Sequence, residues 1–221
     1  MRCGELLGSG RTADVYALGR GRVLRRYRNG ADARPEAELM ARLAALGYPV
    51  PAVHPATAEG MTSADLVLER LTGPTMLEAL LAGEESPERA GAVLGRLLNR
   101  LHALPGRHLH LDLHPGNVLL TPRGPVVIDW ANAEVGPGGL DDAMSAVILA
   151  EVGVGEGPFA GPVRAILSAL LAAVAAVPTR EELDEAVARR AANPTLSEAE
   201  VNNLAAALAL VRRNLKFRSE T

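Results

Sequence analysis

Apolar positions change their rhythm along this chain. Up to about residue 70 they come in short runs broken by glycine. Glu5-Leu6-Leu7 leads into Gly8-Ser9-Gly10, and the runs Asp14–Leu18 and Arg22–Tyr27 flank a turn at Gly19-Arg20-Gly21. Two β-prone runs around a Gly-containing turn predict a hairpin. From Pro35 to Leu46 the rhythm becomes helical, with Leu39, Met40, Leu43 and Leu46 at three- and four-residue spacing. Gly47 and Pro49 end that helix, and Pro49-Val50-Pro51 is extended. Leu66-Val67-Leu68 predicts a buried strand, and Gly73-Pro74 breaks the chain between a small β-rich part and a larger helical one.

Beyond the break, Ser86-Pro87-Glu88 supplies an N-cap, a proline in the first turn and an acid. The helix it opens carries Val93, Leu94, Leu97, Leu98 and Leu101 and reaches Leu104. Val118-Leu119-Leu120 and Val126-Val127-Ile128, separated by Thr121–Pro125, predict a second hairpin. Thr179 with Glu182, and Ser197 with Glu200, are capping-box pairs before periodic segments. Ala165–Val177 is apolar on nearly every side and predicts a buried core helix.

Composition narrows the class. Of 221 residues 48% are apolar and 22% charged, with a net charge of −3, which excludes a disordered chain. A pI near 6.0 gives no bulk electrostatic reason to expect nucleic acid as partner. One cysteine, Cys3, excludes an internal disulfide framework, and no Cys/His cluster has structural-zinc spacing. No apolar signal region follows Met1–Glu5, and Ala165–Val177 falls short of the ~20 residues of a membrane span. The expected setting is the cytoplasm, without membrane partners. Lys216 is the only lysine, which excludes any mechanism that needs a lysine in the first 215 residues.

The densest chemistry lies in His110-Leu111-Asp112-Leu113-His114-Pro115-Gly116-Asn117, with Asp129 twelve residues after Asn117. Phosphoryl transfer from a nucleotide needs three things: a carboxylate to orient the attacking hydroxyl, oxygen ligands for magnesium, and positive charge against the phosphates. Asp112 and Asn117 share one loop, which Pro115-Gly116 turns. Asp129 ends the apolar run Val126–Ile128. Magnesium prefers oxygen donors of this kind. Taken singly, each residue could be a turn cap or a solvated strand end; the ordered set, downstream of a Gly-rich hairpin, points to a phosphotransferase.

These residues resemble the aminoglycoside phosphotransferase family, the small-molecule branch of the protein-kinase-like fold. The family's H-x-D-x-H-x-x-N segment is matched by His110, Asp112, His114 and Asn117, and its I-D-W/F segment by Ile128-Asp129-Trp130. The resemblance implies that Asp112 is the catalytic base, that Asn117 and Asp129 hold Mg2+, and that His110 braces the loop. His114 either does the same or approaches substrate. Gly139–Ala143 resembles the later D-x-A motif, so Asp141 would tie down the catalytic loop. Gly8, Ser9 and Gly10 belong to the nucleotide-covering hairpin, although Ala13 stands where kinases usually have a third glycine. Arg25 occupies the position of the phosphate-binding lysine, with Arg26 as the competing register. Glu36 best matches the helix glutamate that pairs with this cation, with Glu38 the alternative. Glu69 and Leu71 resemble the hinge that bonds the base, and Leu68 would border the pocket.

By this resemblance, which spans residues 4–145, the fold is α+β and two-lobed. Residues 1–71 form a small β-rich nucleotide-binding lobe, with a hinge near 69–73. Residues 72–221 form a mainly helical lobe with catalytic loop 110–117 and metal-binding segment 126–130. ATP or GTP is the expected co-substrate and a hydroxyl of a small molecule the acceptor. From Asp142 onward ten acidic and eight basic residues give no acidic pocket suited to a polycationic aminoglycoside. The rival reading is a non-catalytic nucleotide-binding pseudokinase, motivated by Arg25 in place of lysine. A protein kinase is disfavoured because no activation segment follows Asp129.

Overall fold

The computed structural model describes residues 4–10, 12–56, 60–194 and 196–219, with side chains to residue 215. Cys3, Arg11 and the Lys216 side chain lie outside the described residues. The architecture is α+β, and the chain divides into two compact units. One runs to Gly73 and includes Leu119–Ala131; the other comprises Pro74–Val118 and the chain from Asn132 onward.

The first unit is built on a five-stranded antiparallel sheet. Its strands are β1 (Leu6–Ser9), β2 (Ala13–Leu18), β3 (Arg22–Tyr27), β4 (Val53–His54) and β5 (Asp65–Glu69), in the order β1-β2-β3-β5-β4. The hairpin expected from the glycine-flanked runs is β2–β3, with Val15 opposite Arg25. Helix α1 (Arg34–Ala45) has proline in its first turn and turns Glu36, Met40 and Leu43 inward. β5 is buried over Asp65–Leu68.

The segment 126–130, grouped from sequence with the C-terminal part, falls in the first unit. A main-chain bond from Val127 N to Pro49 O, 2.8 Å, holds it there. At Gly73, φ is +126° and a Cβ would overlap the Leu120 carbonyl oxygen, so only glycine fits.

In the second unit α2 (Met76–Leu81) is opened by a Thr75–Glu78 capping box, and α3 (Pro87–His102) by Ser86, which accepts from Arg89 N. This unit also holds the short ribbon of β6 (His108–Leu109) with β9 (Glu134–Val135) and the 3₁₀ turn Pro115–Asn117. The hairpin β7 (Val118–Thr121) with β8 (Gly124–Val127), which lies between them in sequence, belongs from Leu119 onward to the first unit. Helices α4 (Gly138–Gly153), α5 (Ala160–Ala173), α6 (Arg180–Ala191) and α7 (Glu198–Ser219) follow. The Thr179 and Ser197 caps open α6 and α7.

The expectation of a buried helix over Ala165–Val177 is corrected. α5 stops at Ala173 and buries one face, Ile166, Leu167, Leu170 and Leu171, while Ser168 and Ala172 meet solvent. Alanine on the outer face made the segment look apolar all round. The helix buried on nearly every side is α4, whose buried residues include Asp141, Asp142 and Ser145. Close approach of α3 to α5 requires Gly91 and Gly95, where a Cβ would come within 2.7 Å of Ala169 Cβ and 2.6 Å of Ala173 Cβ. No helix of the described residues is long and apolar enough to cross a membrane.

Candidate functional site

In the first unit, strand alternation decides between the two adjacent arginines. Arg25 is buried at 7% exposure, its Nη1 2.6 Å from Glu36 Oε1 and its Nη2 2.5 Å from Asp129 Oδ1. Arg26 points to the other face and grips Asp65 through two bonds, at 2.6 and 2.8 Å. Glu36 lies on the buried side of α1, whereas Glu38 is exposed. The structure therefore joins Arg25, Glu36 and Asp129.

Two further groups complete this cluster. Tyr27 Oη donates to Glu36 Oε2 at 2.5 Å, and the Trp130 backbone N–H donates to Glu36 Oε1 at 3.0 Å. Trp130, 1% exposed, meets the Tyr48 ring edge-on and donates its indole N–H to Val127 O. Burial alone would lower the Arg25 guanidinium, but the Glu36 and Asp129 carboxylates outweigh it and raise its pKa. Burial and then the Glu36 charge push the Tyr27 phenol far up, so it stays a donor. Asp129 adopts φ +63°, a left-handed conformation uncommon outside glycine that sets the aim of its carboxylate.

Gly8, Ser9 and Gly10 sit exposed at the β1–β2 turn, closed by a bond from Gly10 N to Ala13 O. Ser9 Oγ donates to Asp14 Oδ1 at 2.7 Å, and Arg28 donates to Asp14, to Ser9 Oγ and to the Gly10 carbonyl. Arg28 thus fastens the turn from the end of β3. At the expected hinge, Glu69 N–H is committed to Ala52 O at 2.8 Å, leaving its carbonyl as the main-chain group to offer a base. The Glu69 side chain takes Arg123 at 2.6 Å; Leu71 is half-buried beside it in sequence.

In the second unit the loop His110–Asn117 hangs from one carboxylate. Asp141, fully buried on α4, accepts from His110 N at 2.8 Å and from Leu111 N at 2.7 Å. Leu111 is held there at φ +61°. Such a conformation costs of order 1–2 kcal/mol for a residue with a Cβ, and the paired N–H bonds to a charged acceptor offset it.

The loop then braces itself. His110 Nδ1 accepts from Asp112 N at 3.2 Å, and His114 Nδ1 from Gly116 N at 3.1 Å, with His114 Nε2 4.0 Å from Asp112 Oδ1. Asn117 turns its amide nitrogen onto Asp112, 2.9 Å from the carbonyl and 3.3 Å from Oδ2. Its amide oxygen is thereby directed away from that pair. The Asp112 side chain remains 27% exposed.

Two features had no sequence signal. His102, at the end of α3, lies 3.1 Å from Asp141 Oδ2; burial alone would lower its pKa, but the Asp141 bond and the Asp141 and Asp142 charges raise it. Arg190 of α6 makes a bidentate pair with Glu151 of α4, both bonds 2.7 Å. Its pKa is raised: burial acts downward, and the Glu151 bond followed by the Glu151 and Asp112 charges outweighs it.

Among the described residues no group of three or more His, Cys, Asp and Glu gathers to hold a metal. Each unit, taken by itself, carries one hard oxygen donor of interest: the Asp129 carboxylate in the first and the Asn117 amide oxygen in the second. Oxygen donors of this kind suit magnesium and not the nitrogen and sulfur ligands of a zinc site.

No curated protein matches the chain. A model of the phosphotransferase enzyme family, APH, matches residues 4–109 and 103–186, reaching from the glycine turn through the loop held by Asp141 into α6. On that match, which takes in most of its length, this chain belongs to the phosphotransferase enzyme family.

Proposed function

We propose that this chain is a protein-kinase-like phosphotransferase that moves the γ-phosphate of ATP or GTP to a hydroxyl of a small molecule. The observation that carries this reading is the loop His110–Asn117: Asp141 fixes its backbone while Asp112 stays partly exposed. In that role Asp112 accepts the proton of the attacking hydroxyl. Arg25 meets the phosphates, Gly8–Gly10 cover them, and the Glu69 carbonyl and Leu71 N–H hold the base. Asn117 and Asp129 hold magnesium, which supplies charge neutralisation on the phosphate oxygens. His110, His114 and Asp141 keep the loop in shape.

The acceptor is a compact molecule bound by the helical unit, with an antibiotic such as an aminoglycoside as one class to screen. Neither nucleic acid nor a membrane is part of the reaction. The test is nucleotide-dependent ADP or GDP release with Mg2+ over aminoglycosides, macrolides, peptide antibiotics, amino alcohols and sugars. Turnover on one class is expected, and Asp112→Asn should cut it by roughly 10²–10⁴ without shifting the melting temperature. Nucleotide binding with no turnover on any acceptor favours the pseudokinase, which Arg25 in place of lysine motivates.

A further inference from the structure

Tyr27 is the one member of the buried Arg25 cluster that motif spacing did not single out. It follows Arg25 by two positions on β3 and so shares its face of the strand. Its hydroxyl donates to Glu36 Oε2 at 2.5 Å, while Arg25 takes Oε1 of the same carboxylate at 2.6 Å. The Arg25 guanidinium carbon stands 5.0 Å from the Tyr27 ring centroid, inside cation–π range. Tyr27 thus acts on Arg25 twice, through the shared carboxylate and through its ring face.

We propose that Tyr27 is a positioning residue for nucleotide binding, and that with Glu36 it forms a seat shaped for a guanidinium rather than an ammonium at position 25. The geometry supplies the reason. Arg25 uses separate nitrogens for Glu36 and Asp129, a planar fork that a lysine Nζ cannot span, while the flat cation lies against the ring. The Tyr27 hydroxyl and the Trp130 N–H hold the carboxylate from two further directions, so its orientation does not depend on Arg25 alone. When Arg25 turns a nitrogen to a phosphate, Glu36 stays in place behind it.

This inference rests on the phosphotransferase reading, and the experiment separates the two. MgADP affinity is measured by calorimetry, and KM and kcat by nucleotide release, for wild type, Tyr27→Phe, Arg25→Lys and the double variant, with melting temperatures alongside. Tyr27→Phe keeps the ring and removes one hydrogen bond to a charged group, so MgADP affinity should fall about tenfold. The nucleotide KM should rise to match, with kcat changing far less. Arg25→Lys should lose at least as much affinity, and Tyr27→Phe should then add under about twofold, because the two act as one unit.

Full multiplication of the two effects overturns the proposal. So does a Tyr27→Phe protein with a lowered melting temperature and unchanged MgADP affinity, which makes the tyrosine structural only. Undiminished affinity in Arg25→Lys overturns the guanidinium-specific seat, independently of how Tyr27→Phe folds. Wild-type protein that binds neither adenine nor guanine nucleotides with Mg2+ overturns the phosphotransferase reading, and this inference with it; if only guanine nucleotides bind, the same variants are read with MgGDP.

Discussion

In the unit that includes Leu119–Ala131, the buried polar groups are charges answering charges: Arg25 against Glu36 and Asp129, with Tyr27 and the Trp130 N–H closing on the same glutamate. In the other unit the buried carboxylate of Asp141 answers main-chain N–H groups, those of His110 and Leu111, with the His102 side chain beside it. The first cluster can be dismantled only by stranding an ion. The second can lose its carboxylate charge and keep some bonding, because an amide oxygen also accepts. Side-chain pairs fix where a charge sits; a carboxylate on consecutive N–H groups fixes where a backbone turns.

The sharpest test of that contrast is Glu36→Ala. It leaves Arg25, 8% exposed, with Asp129 alone, and breaking a buried pair costs about 3–5 kcal/mol. Urea unfolding checks this, and a loss under about 1 kcal/mol would mean the pair behaves as if solvated. Asp141→Asn should cost less, about 1–3 kcal/mol, since one N–H of the Leu111 turn loses its acceptor. A larger loss than for Glu36→Ala would reverse the contrast.

A third comparison uses pH. The folded-state pKa of His102 lies above its unfolded value near 6.5. Its contribution is therefore fully present below that value and is lost as pH rises through the folded pKa. Wild type should lose stability across that window relative to His102→Gln, read as the gap between urea midpoints in acidic and basic buffer. A gap independent of pH would sink the assignment. The smallest effect belongs to Arg123→Ala. Its pair with Glu69 is 66% and 28% exposed, and surface pairs contribute about 0–1 kcal/mol; a loss above that range would show the pair to be more than a surface contact.

The same contrast explains what was legible in the sequence. Runs flanking glycine turns marked β2 and β3, and caps marked α3, α6 and α7, because those signals are local. The family resemblance pointed to Arg25 and Glu36, with Arg26 and Glu38 as alternatives, and packing chooses between those neighbours. β4, β6 and β9 are two residues long and α2 six, too short to carry a period, and none was expected.

α4 escaped notice as the core helix since Asp141 and Asp142 interrupt its apolar run, while α5 looked buried through its alanines. The loop residues were recognisable by type and order. The left-handed turn at Leu111 was not, because nothing about leucine prefers it; it exists because Asp141, thirty residues on, collects the two N–H groups there.

Trp130 is the only tryptophan in the chain and is walled from water beside Asp129. Its emission therefore reports on the first unit alone, and should shift to longer wavelength when that unit opens. Among the described residues α2 to α7 belong to the other unit and α1 to the first, so far-ultraviolet circular dichroism is weighted to the former. The protein thus carries two intrinsic optical signals, one for each unit. Where their melting curves separate, the units unfold independently; where they superimpose, they share one cooperative transition.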